Sequence, residues 1–149
     1  MLKRLSGMFL ALVCLDMGIK QYVEDVFREN EERETIVDKV VLRKVYNKGF
    51  AFGALQDKPK IIKGASVFAG LGALAYDVRL LQKRGRRLEK LGMALVSAGA
   101  FSNIYDRLIR GKVIDYIGIQ SRIKCLSRLT ANLADLYVAA GAALVSFVH

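Results

Sequence analysis

Two aspartates, Asp115 and Asp135, are the residues of this sequence best suited to carry out chemistry. Asp115 lies in the segment VIDY and Asp135 in the segment NLAD, close to apolar runs of the chain. Two carboxylates held close together cannot both ionise freely, so such a pair keeps a proton and offers one base and one acid. If the apolar runs cross a bilayer, carboxylates at their ends indicate a functional site. The pattern predicts that the two aspartates together activate a water molecule for hydrolysis.

The composition gives little support to other kinds of catalytic centre. The chain has one histidine, His149 at its C-terminus, and two cysteines, Cys14 and Cys125, which form no CxxC motif. Neither the spacing of zinc ligands nor a disulfide framework is present in the sequence. Ser97 and Ser102 have no histidine that could activate a serine nucleophile. We therefore expect no metal and no cofactor.

Two further pairs of charged residues lie in or beside the apolar segments. Asp16 and Lys20 are spaced i, i+4, so they share one helical face with the acid in the favoured N-terminal position. They form either an internal salt bridge or a direct part of the site. Asp106 competes for a catalytic role, but its place at a helix end beside Arg107 favours an ion pair or a hydrogen-bond anchor. Arg107, which we expect to face outward, is a candidate to hold a substrate carbonyl or a lipid phosphate.

The overall composition is apolar and basic at the same time. Of 149 residues, 53% are hydrophobic, the mean hydropathy is +0.26 and the formal net charge is +10. This combination is unusual for a soluble domain, and the length corresponds to a single domain. The sequence has no Arg-rich helix with interleaved aromatics and no zinc-finger spacing, so we expect no nucleic-acid partner. Anionic membrane lipids are the partner that the basic residues favour.

Four apolar segments predict four transmembrane helices, at about residues 5–23, 61–79, 88–106 and 131–148. Each reaches spanning length once the Lys and Arg at its ends extend to the interface, and runs such as GASVFAGLGALA favour close packing in lipid. The first resembles a signal peptide but lacks a small-x-small cleavage site, which predicts an uncleaved helix. The basic N-terminus and the basic turn 79–90 are expected in the cytoplasm. The alternative is a soluble four-helix bundle, since no charge-free run reaches about 18 residues.

The outer loops, at about residues 24–60 and 107–130, contain two stretches that predict strands. Residues 35–46, TIVDKVVLRKVY, are rich in β-branched side chains, and residues 113–119, VIDYIGI, also look extended. The first follows an acidic, aqueous loop over residues 24–38 and precedes NKGFAFG, where Gly49 and Gly53 bracket Phe50 and Phe52. This segment either presents two aromatics to an apolar phase or ligand, as a movable lid would, or forms a hairpin turn with buried aromatics.

Four blocks of the sequence, taken in order, resemble the lipoprotein signal peptidase family, also called signal peptidase II. The blocks are the Asp16–Lys20 pair, NKGFAFG, NIYDRLIRGKVIDY and NLAD, and they extend from the first helix to the last. The resemblance implies a single membrane peptidase domain over residues 1–149. Its implied fold is an all-α membrane protein with four transmembrane helices, both termini cytoplasmic, and a small extracytoplasmic β-rich cradle.

The resemblance also implies an activity and a set of site residues. The activity is that of an aspartic endopeptidase that removes the signal peptide from a diacylglyceryl-modified prolipoprotein by cutting before the lipidated cysteine. Asp115 and Asp135 match the catalytic dyad of the family. The positions that match its substrate-binding or supporting residues are Asp16, Lys20, Asn47, Gly49, Asn103, Asp106, Arg107 and Asn132. The sequence departs from the family pattern, away from the dyad, at Met17, Ile19, Ser102 and Ala131.

The implied partners are a lipid-modified prolipoprotein as substrate and the lipids of the membrane. We expect a monomer in the bacterial cytoplasmic (inner) membrane, with the active site near its outer face. A second hypothesis is a non-catalytic membrane helical bundle that binds lipidated peptides. The presence of both Asp115 and Asp135 argues against it, because binding alone requires no pair of energetically costly carboxylates.

Overall fold

The computed structural model describes residues 2–49, 57–123 and 127–148 of the chain. Within these residues, four helices and four strands follow one another in the order α1 Leu2–Val26, β1 Glu32–Glu34, β2 Val40–Asn47, α2 Pro59–Gln82, α3 Arg87–Tyr105, β3 Val113–Ile119, β4 Thr130–Ala131 and α4 Leu133–Val148. A π-helical segment, Asp106–Arg110, extends α3 and is called the π-turn below. The expected combination of a helical protein with a small β-sheet is confirmed.

The helices differ in how well they fit a bilayer. Among the described helices, α2 is the one whose length and hydropathy suffice to cross a membrane, and α4 is a shorter apolar helix. The other two carry polar groups within their length: α1 buries Asp16 and Lys20, and α3 buries Glu89, Lys90 and Asn103. Buried charges lower the mean hydropathy of a helix without exposing that charge to lipid. That all four helices span a membrane stays a prediction.

The four strands form one antiparallel sheet in the order β1-β2-β3-β4. The prediction of an extended segment at residues 113–119 is confirmed by β3. The prediction of a strand over residues 35–46 was wrong at its start, because β2 begins at Val40. The Thr35 hydroxyl instead closes a turn, donating to the carbonyls of Val37 and Val40, and Lys39 has a φ of 62°. The short strand β1 lies within the segment that we expected to be an aqueous loop.

The sheet packs on the C-terminal part of α1. Val23 of that helix and Phe27, which follows its last residue, form a buried cluster with Ile114 and Tyr116 of β3. Successive side chains of a strand point to opposite faces of the sheet, so residues two positions apart, such as Ile114 and Tyr116, face the same side. Asp115 between them therefore points to the opposite face of β3, away from this apolar core.

Helices α3 and α4 approach each other closely because glycines lie at their contact. A Cβ atom at Gly99 would overlap the backbone oxygen of Ala134, and one at Gly141 would overlap the backbone oxygen of Gly92. Glycine and other small residues allow the backbones of two helices to come together in this way. The contact brings the C-terminal end of α3 beside the N-terminal end of α4, where Asp135 lies.

The π-turn changes the direction of the chain between α3 and β3. A π-helical turn holds one residue more than an α-turn and is often found at functional sites. It ends at Gly111, whose φ of 74° is a left-handed conformation that glycine adopts without strain. The aromatic pair and the glycine for which the sequence suggested a lid, Phe50, Phe52 and Gly53, lie outside the described residues.

Candidate active site

The two aspartates that the sequence singles out lie on neighbouring elements of the structure. Asp115 lies in the middle of β3, opposite Val45 of β2, and is 1% exposed. Asp135 lies in the first turn of α4 and is half-buried. The two carboxylates are close enough for the charge of Asp135 to raise the pKa of Asp115. The fold thus brings both acids to one place at the junction between the sheet and the helices.

Asn132 connects the two aspartates. Its side-chain amide donates to Asp115 Oδ1 at 2.8 Å, and its backbone N–H donates to Asp135 Oδ2 at 3.2 Å. The backbone N–H of Asp135 in turn donates to Asn132 Oδ1 at 3.0 Å. This reciprocal arrangement, in which two residues three positions apart satisfy each other's backbone groups, is that of a capping box at a helix N-terminus. The start of α4 therefore fixes the position of both carboxylates.

The remaining hydrogen bonds to the two carboxylates also come from neutral groups. The Asn47 amide donates to Asp115 Oδ2 at 3.1 Å, and the Thr130 hydroxyl donates to the same oxygen at 3.3 Å. The Asn103 amide donates to Asp135 Oδ1 at 2.8 Å. Neutral donors orient a carboxylate and contribute partial stabilisation of its charge, but they do not neutralise it.

Burial, followed by the nearby charge of Asp135, raises the pKa of Asp115 from 3.8 to about 6, against the hydrogen bonds from Asn47, Thr130 and Asn132 that lower it. An acid whose pKa lies near neutrality exchanges its proton readily under physiological conditions. Because the two groups interact, their titration belongs to the pair. The arrangement can therefore hold one proton between two carboxylates and supply both a base and an acid.

A second polar cluster lies behind the pair, centred on Lys20. The side chain of Lys20 is 0% exposed, and its ammonium lies 2.7 Å from Asp16 Oδ2 and 2.9 Å from Asp106 Oδ2. It also donates to Asn103 Oδ1 at 2.9 Å and to the Ser102 hydroxyl at 3.2 Å. Since lysine can only donate, this contact orients the Asn103 amide so that its NH₂ group faces Asp135. The Lys20 cluster and the pair of aspartates are thus joined through one side chain.

Comparison with known proteins decides the family. The model of a family described as signal peptidase (SPase) II matches residues 8–149 of the chain. The chain belongs to the signal peptidase II family. Proteins of this family remove the signal peptide from prolipoproteins.

Individual relatives agree with this placement. A lipoprotein signal peptidase of Mesorhizobium japonicum is 34% identical over 139 residues, which are 92% of this chain and 79% of the relative. A lipoprotein signal peptidase of Burkholderia mallei is 36% identical over 104 residues, which are 69% of this chain and 61% of the relative. The matched part thus spans about three fifths of the length of the Burkholderia protein.

Solved structures show the same fold. One structure of a bacterial membrane enzyme, determined by the in meso method at 2.3 Å resolution, superposes with a TM-score of 0.83 at 20% sequence identity. The match covers 98% of this chain and 87% of the other. A second structure described in the same words, at 1.9 Å resolution, has a TM-score of 0.82 at 19% identity and covers 98% and 92% of the two chains.

The residues that matched the signal peptidase II pattern divide into three groups in the structure. Asn47, Asn103 and Asn132 contact the two aspartates directly, whereas Asp16, Lys20 and Asp106 form the cluster behind them. Gly49 and Arg107 form the third group, because Arg107 Nη2 donates to the Gly49 carbonyl at a long 3.4 Å. The Gly49 N–H itself donates to Asn47 Oδ1 at 2.9 Å, which holds the amide of Asn47 toward Asp115.

Asp106 and Arg107, two of the charged residues of the π-turn, differ from what the sequence suggested. Asp106 does form ion pairs, but its partners are Lys20 and, at 3.4 Å, Arg110 on the next turn, and the pairs lack aligned hydrogen bonds. Arg107 is half-buried, whereas we expected it to face outward. Its guanidinium lies close enough to Asp115 and Asp135 to interact with their charges.

Three site residues were not singled out for a role by sequence reasoning: Tyr116, Thr130 and Ser102. Tyr116 donates to Asp16 Oδ1 at 2.9 Å and accepts from the backbone N–H of Leu133 at 3.0 Å, so it ties α1 to the start of α4. The Ser102 hydroxyl donates to Asp16 Oδ2 at 2.6 Å. Tyr116 could have been found from its place beside Asp115 on a strand, since a buried tyrosine hydroxyl requires a partner. Thr130 and Ser102 carried no comparable signal.

Within the described parts of the chain, no group of three or more His, Cys, Asp or Glu side chains is placed to hold a metal ion.

Proposed function

We propose that this chain is an aspartic endopeptidase in which Asp115 and Asp135 form the catalytic dyad. The observation that supports this most strongly is that the buried Asp115 and the half-buried Asp135 lie together, linked by Asn132, with hydrogen bonds from neutral donors. Such a pair retains a proton near neutral pH, which is the state that acid–base hydrolysis requires. The proposed substrate is a diacylglyceryl-modified prolipoprotein, cut immediately before the lipidated cysteine.

The reaction follows from the proton that the dyad holds. The ionised aspartate accepts a proton from a water molecule, and the resulting hydroxide attacks the scissile carbonyl carbon. The protonated aspartate donates a hydrogen bond to the carbonyl oxygen and stabilises the charge that develops there. Collapse of the tetrahedral intermediate breaks the C–N bond, and a proton from the dyad reaches the leaving nitrogen. Either aspartate can begin as the base, because the proton is shared by the pair.

Arg107 is the proposed substrate-binding residue of this site. Its guanidinium is half-buried near both carboxylates, and its contact with the Gly49 carbonyl is long. A guanidinium can offer two parallel donors to a carbonyl or a phosphate. We place it where a backbone carbonyl of the prolipoprotein or the phosphate of a neighbouring lipid would bind.

We place all four helices across the bacterial cytoplasmic membrane as a monomer, with both termini in the cytoplasm and the sheet at the outer face. Large apolar side chains point outward from the helices, for example Phe68 at 81% exposure and Phe147 at 89%. Such residues are buried by lipid if the helices span a bilayer. Asp115 on the sheet and Asp135 at the start of α4 then lie near the membrane surface. A lipid-modified cysteine held in the outer leaflet can reach this depth.

The proposal is tested by a gel-shift cleavage assay in detergent, with a diacylglyceryl-modified prolipoprotein as substrate. The wild-type chain, Asp115→Asn and Asp135→Asn are compared, and the new N-terminus is identified by mass spectrometry. We expect each variant to lose activity by a factor of about 10³ or more while remaining folded. Asp25→Asn, at an exposed carboxylate that contacts only Gln21 among the described residues, is the matched control and keeps its activity.

Two outcomes would overturn the proposal. If Asp115→Asn or Asp135→Asn cleaves as well as the wild type, the dyad is assigned wrongly. If the wild type binds the lipidated peptide but never cuts it, the chain is a binding protein for lipidated peptides.

A further inference from the structure

An apolar cleft lies at the end of the molecule opposite the dyad, and basic residues surround its opening. The cleft lies between the N-terminal half of α1, the C-terminal half of α2 and the start of α3, and its volume is about 350 Å³. Its walls are mostly aliphatic and aromatic, with Leu5 and Phe9 from α1 and Leu74, Val78 and Leu81 from α2. A second cavity of about 350 Å³ adjoins it through Leu80. These walls suit a hydrocarbon chain rather than a polar ligand.

The turn between α2 and α3, together with the helix ends that flank it, places a cluster of positive charges beside the cleft. Arg79, Lys83, Arg84 and Arg87 are exposed, and within the described residues none of them has an acidic partner at ion-pair distance. The neighbouring Arg86 is different, because it pairs with the buried Glu89 at 2.9 Å. Four cations without counter-charges create a positive potential that attracts an anion.

A further cation lies inside the cleft itself. Lys90 lines the cleft and is 3% exposed. An ammonium carries three N–H donors, and among the described residues the contact of Lys90 is with the carbonyl of Lys83. Asp77 also lines the cleft, but its carboxylate accepts a hydrogen bond from Ser97 and makes no ion pair with Lys90 or any other described cation. The buried ammonium therefore keeps donors available for an anionic group.

From these features we propose that the cleft binds one anionic phospholipid, with an acyl chain between α1 and α2 and the phosphate at Lys90 and the cations of the turn. Basic pockets between helices on the cytoplasmic side of membrane proteins bind the headgroups of anionic lipids in this way. A phospholipid satisfies both halves of the site, whereas a free phosphate leaves the apolar walls uncovered and a neutral lipid leaves the cations uncompensated. The site is separate from the dyad, and the proposal does not depend on the reaction proposed there.

Lipid binding is measured by native mass spectrometry of the full chain, released from detergent micelles and titrated with phosphatidylglycerol or phosphatidylcholine of identical acyl chains. We expect phosphatidylglycerol to bind at least tenfold more tightly. A triple variant, Lys83→Gln/Arg84→Gln/Arg87→Gln, loses this preference, since each basic residue near a lipid surface contributes about fivefold in affinity. A matched triple variant at exposed cations of the sheet end, Arg28→Gln/Lys39→Gln/Arg122→Gln, keeps the preference.

The acyl-chain half of the site is tested separately. Ser6 lines the cleft with an exposed side chain, so Ser6→Trp fills the cleft without disturbing a buried contact. This variant is expected to bind both lipids at least tenfold more weakly. Ala11→Trp, at an exposed position of the same helix outside the cleft lining, is the control and binds as the wild type does.

Equal affinity of the wild type for the two lipids would overturn the proposal, as would an equal loss of preference in both triple variants. Undiminished binding by Ser6→Trp would show that the lipid lies elsewhere. Displacement of phosphatidylglycerol by inorganic phosphate alone would mean that the turn is a simple anion site.

Discussion

Two groups of carboxylates lie side by side in this protein, joined through Asn103, and one group is surrounded by cations whereas the other is surrounded by neutral donors. Asp16 and Asp106 face the Lys20 ammonium, and Arg110 adds a second cation, so the formal charges of this cluster cancel. Asp115 and Asp135 instead receive hydrogen bonds from amides and a hydroxyl. Burial is nearly complete for Asp16, Asp106 and Asp115 alike. Burial alone therefore does not separate a structural carboxylate from a chemical one.

The difference lies in how each group tolerates its charge. A carboxylate paired with a buried cation holds the fold together, because removing either partner leaves an uncompensated charge. A carboxylate with only neutral donors keeps its proton to a higher pH and can pass it on. Asn103 joins the two groups, since its carbonyl accepts from Lys20 while its amide donates to Asp135. The neutralised cluster thus orients the dyad without cancelling its charge.

The largest stability effect is expected when the neutralised cluster loses its cation. Lys20→Met leaves Asp16 and Asp106 buried beside an apolar side chain, which costs about 3–5 kcal/mol in the free energy of unfolding. Equilibrium unfolding in detergent measures this loss. Lys112→Met is the control, because Lys112 is 28% exposed and lies 3.8 Å from Glu24, and such pairs contribute about 1 kcal/mol or less. Equal losses in the two variants would contradict the structural role of the Lys20 cluster.

The free energy of unfolding should depend on pH through Asp115 of the dyad, and the pKa of this carboxyl sets the direction of the change. The pKa of Asp115 rises from 3.8 to about 6 on folding, so the folded state holds this proton more tightly than the unfolded state. The stabilisation by this proton is complete below about pH 4 and is lost as the pH rises to about 6, by up to about 3 kcal/mol. Wild type and Asp115→Asn should therefore diverge over this range in their free energies of unfolding, with the wild type falling relative to the variant. If the free energies of unfolding of the two proteins change in parallel with pH, burial does not destabilise the ionised carboxylate of Asp115.

The sequence predicts those contacts of the Lys20 cluster that join residues close together along the chain, but not those that join distant residues. The spacing of Asp16 and Lys20 predicts that they share a helical face, and the salt bridge between them is one of the two interpretations that the spacing allowed. The contact of Lys20 with Asp106 joins residues from different helices, and no local pattern predicts it. The sequence instead suggested Arg107 as the partner, because adjacency along the chain was the only available guide.

For the dyad, local patterns carried more information. The alternation of VIDYIGI predicts a strand on which Asp115 and Tyr116 point to opposite faces. The segment NLAD has the spacing of a capping box, so the contacts between Asn132 and Asp135 could have been predicted at the start of α4. The residue at which β2 begins could not have been predicted from the sequence. The β-branched residues before Val40 favour a strand, whereas in the structure the Thr35 hydroxyl closes a turn there.

The close contact of α3 with α4 holds Asn103 beside Asp135 of the dyad. A bulky side chain at this contact should therefore disturb the geometry of the dyad. A Cβ at Gly99 would overlap the backbone of Ala134, so Gly99→Leu forces the helices apart and costs about 1–3 kcal/mol. Activity per folded molecule falls as well, because Asn103 and Asp135 separate. Gly72→Leu introduces the same side chain on α2, where nothing lies within 4 Å of the added Cβ. Thermal unfolding and the cleavage assay compare the two, and equal behaviour would contradict the packing argument.

The smallest expected effect concerns a single hydrogen bond to the dyad. The Thr130 hydroxyl donates to Asp115 Oδ2, and this bond lowers the pKa of that carboxyl. Thr130→Val removes the donor and keeps the shape, so the pKa rises and the alkaline limb of kcat/KM moves to higher pH by about half a unit. Thr35→Val, in the turn before β2, is the control and leaves the limb in place. A shift toward lower pH would contradict the assigned direction.

Infrared difference spectroscopy tests the shared proton most directly, because a protonated carboxyl group has a C=O stretch that a carboxylate lacks. Spectra of the wild type are recorded as the pH is raised from about 5 to about 8, and the same is done for Asp115→Asn and Asp16→Asn. The dyad predicts a carboxylic acid band that disappears near pH 6 in the wild type and is missing in Asp115→Asn. The band should persist in folded Asp16→Asn, since Asp16 is paired with Lys20. A band that is unchanged in Asp115→Asn, or lost only in Asp16→Asn, would contradict the assignment of the proton to the dyad.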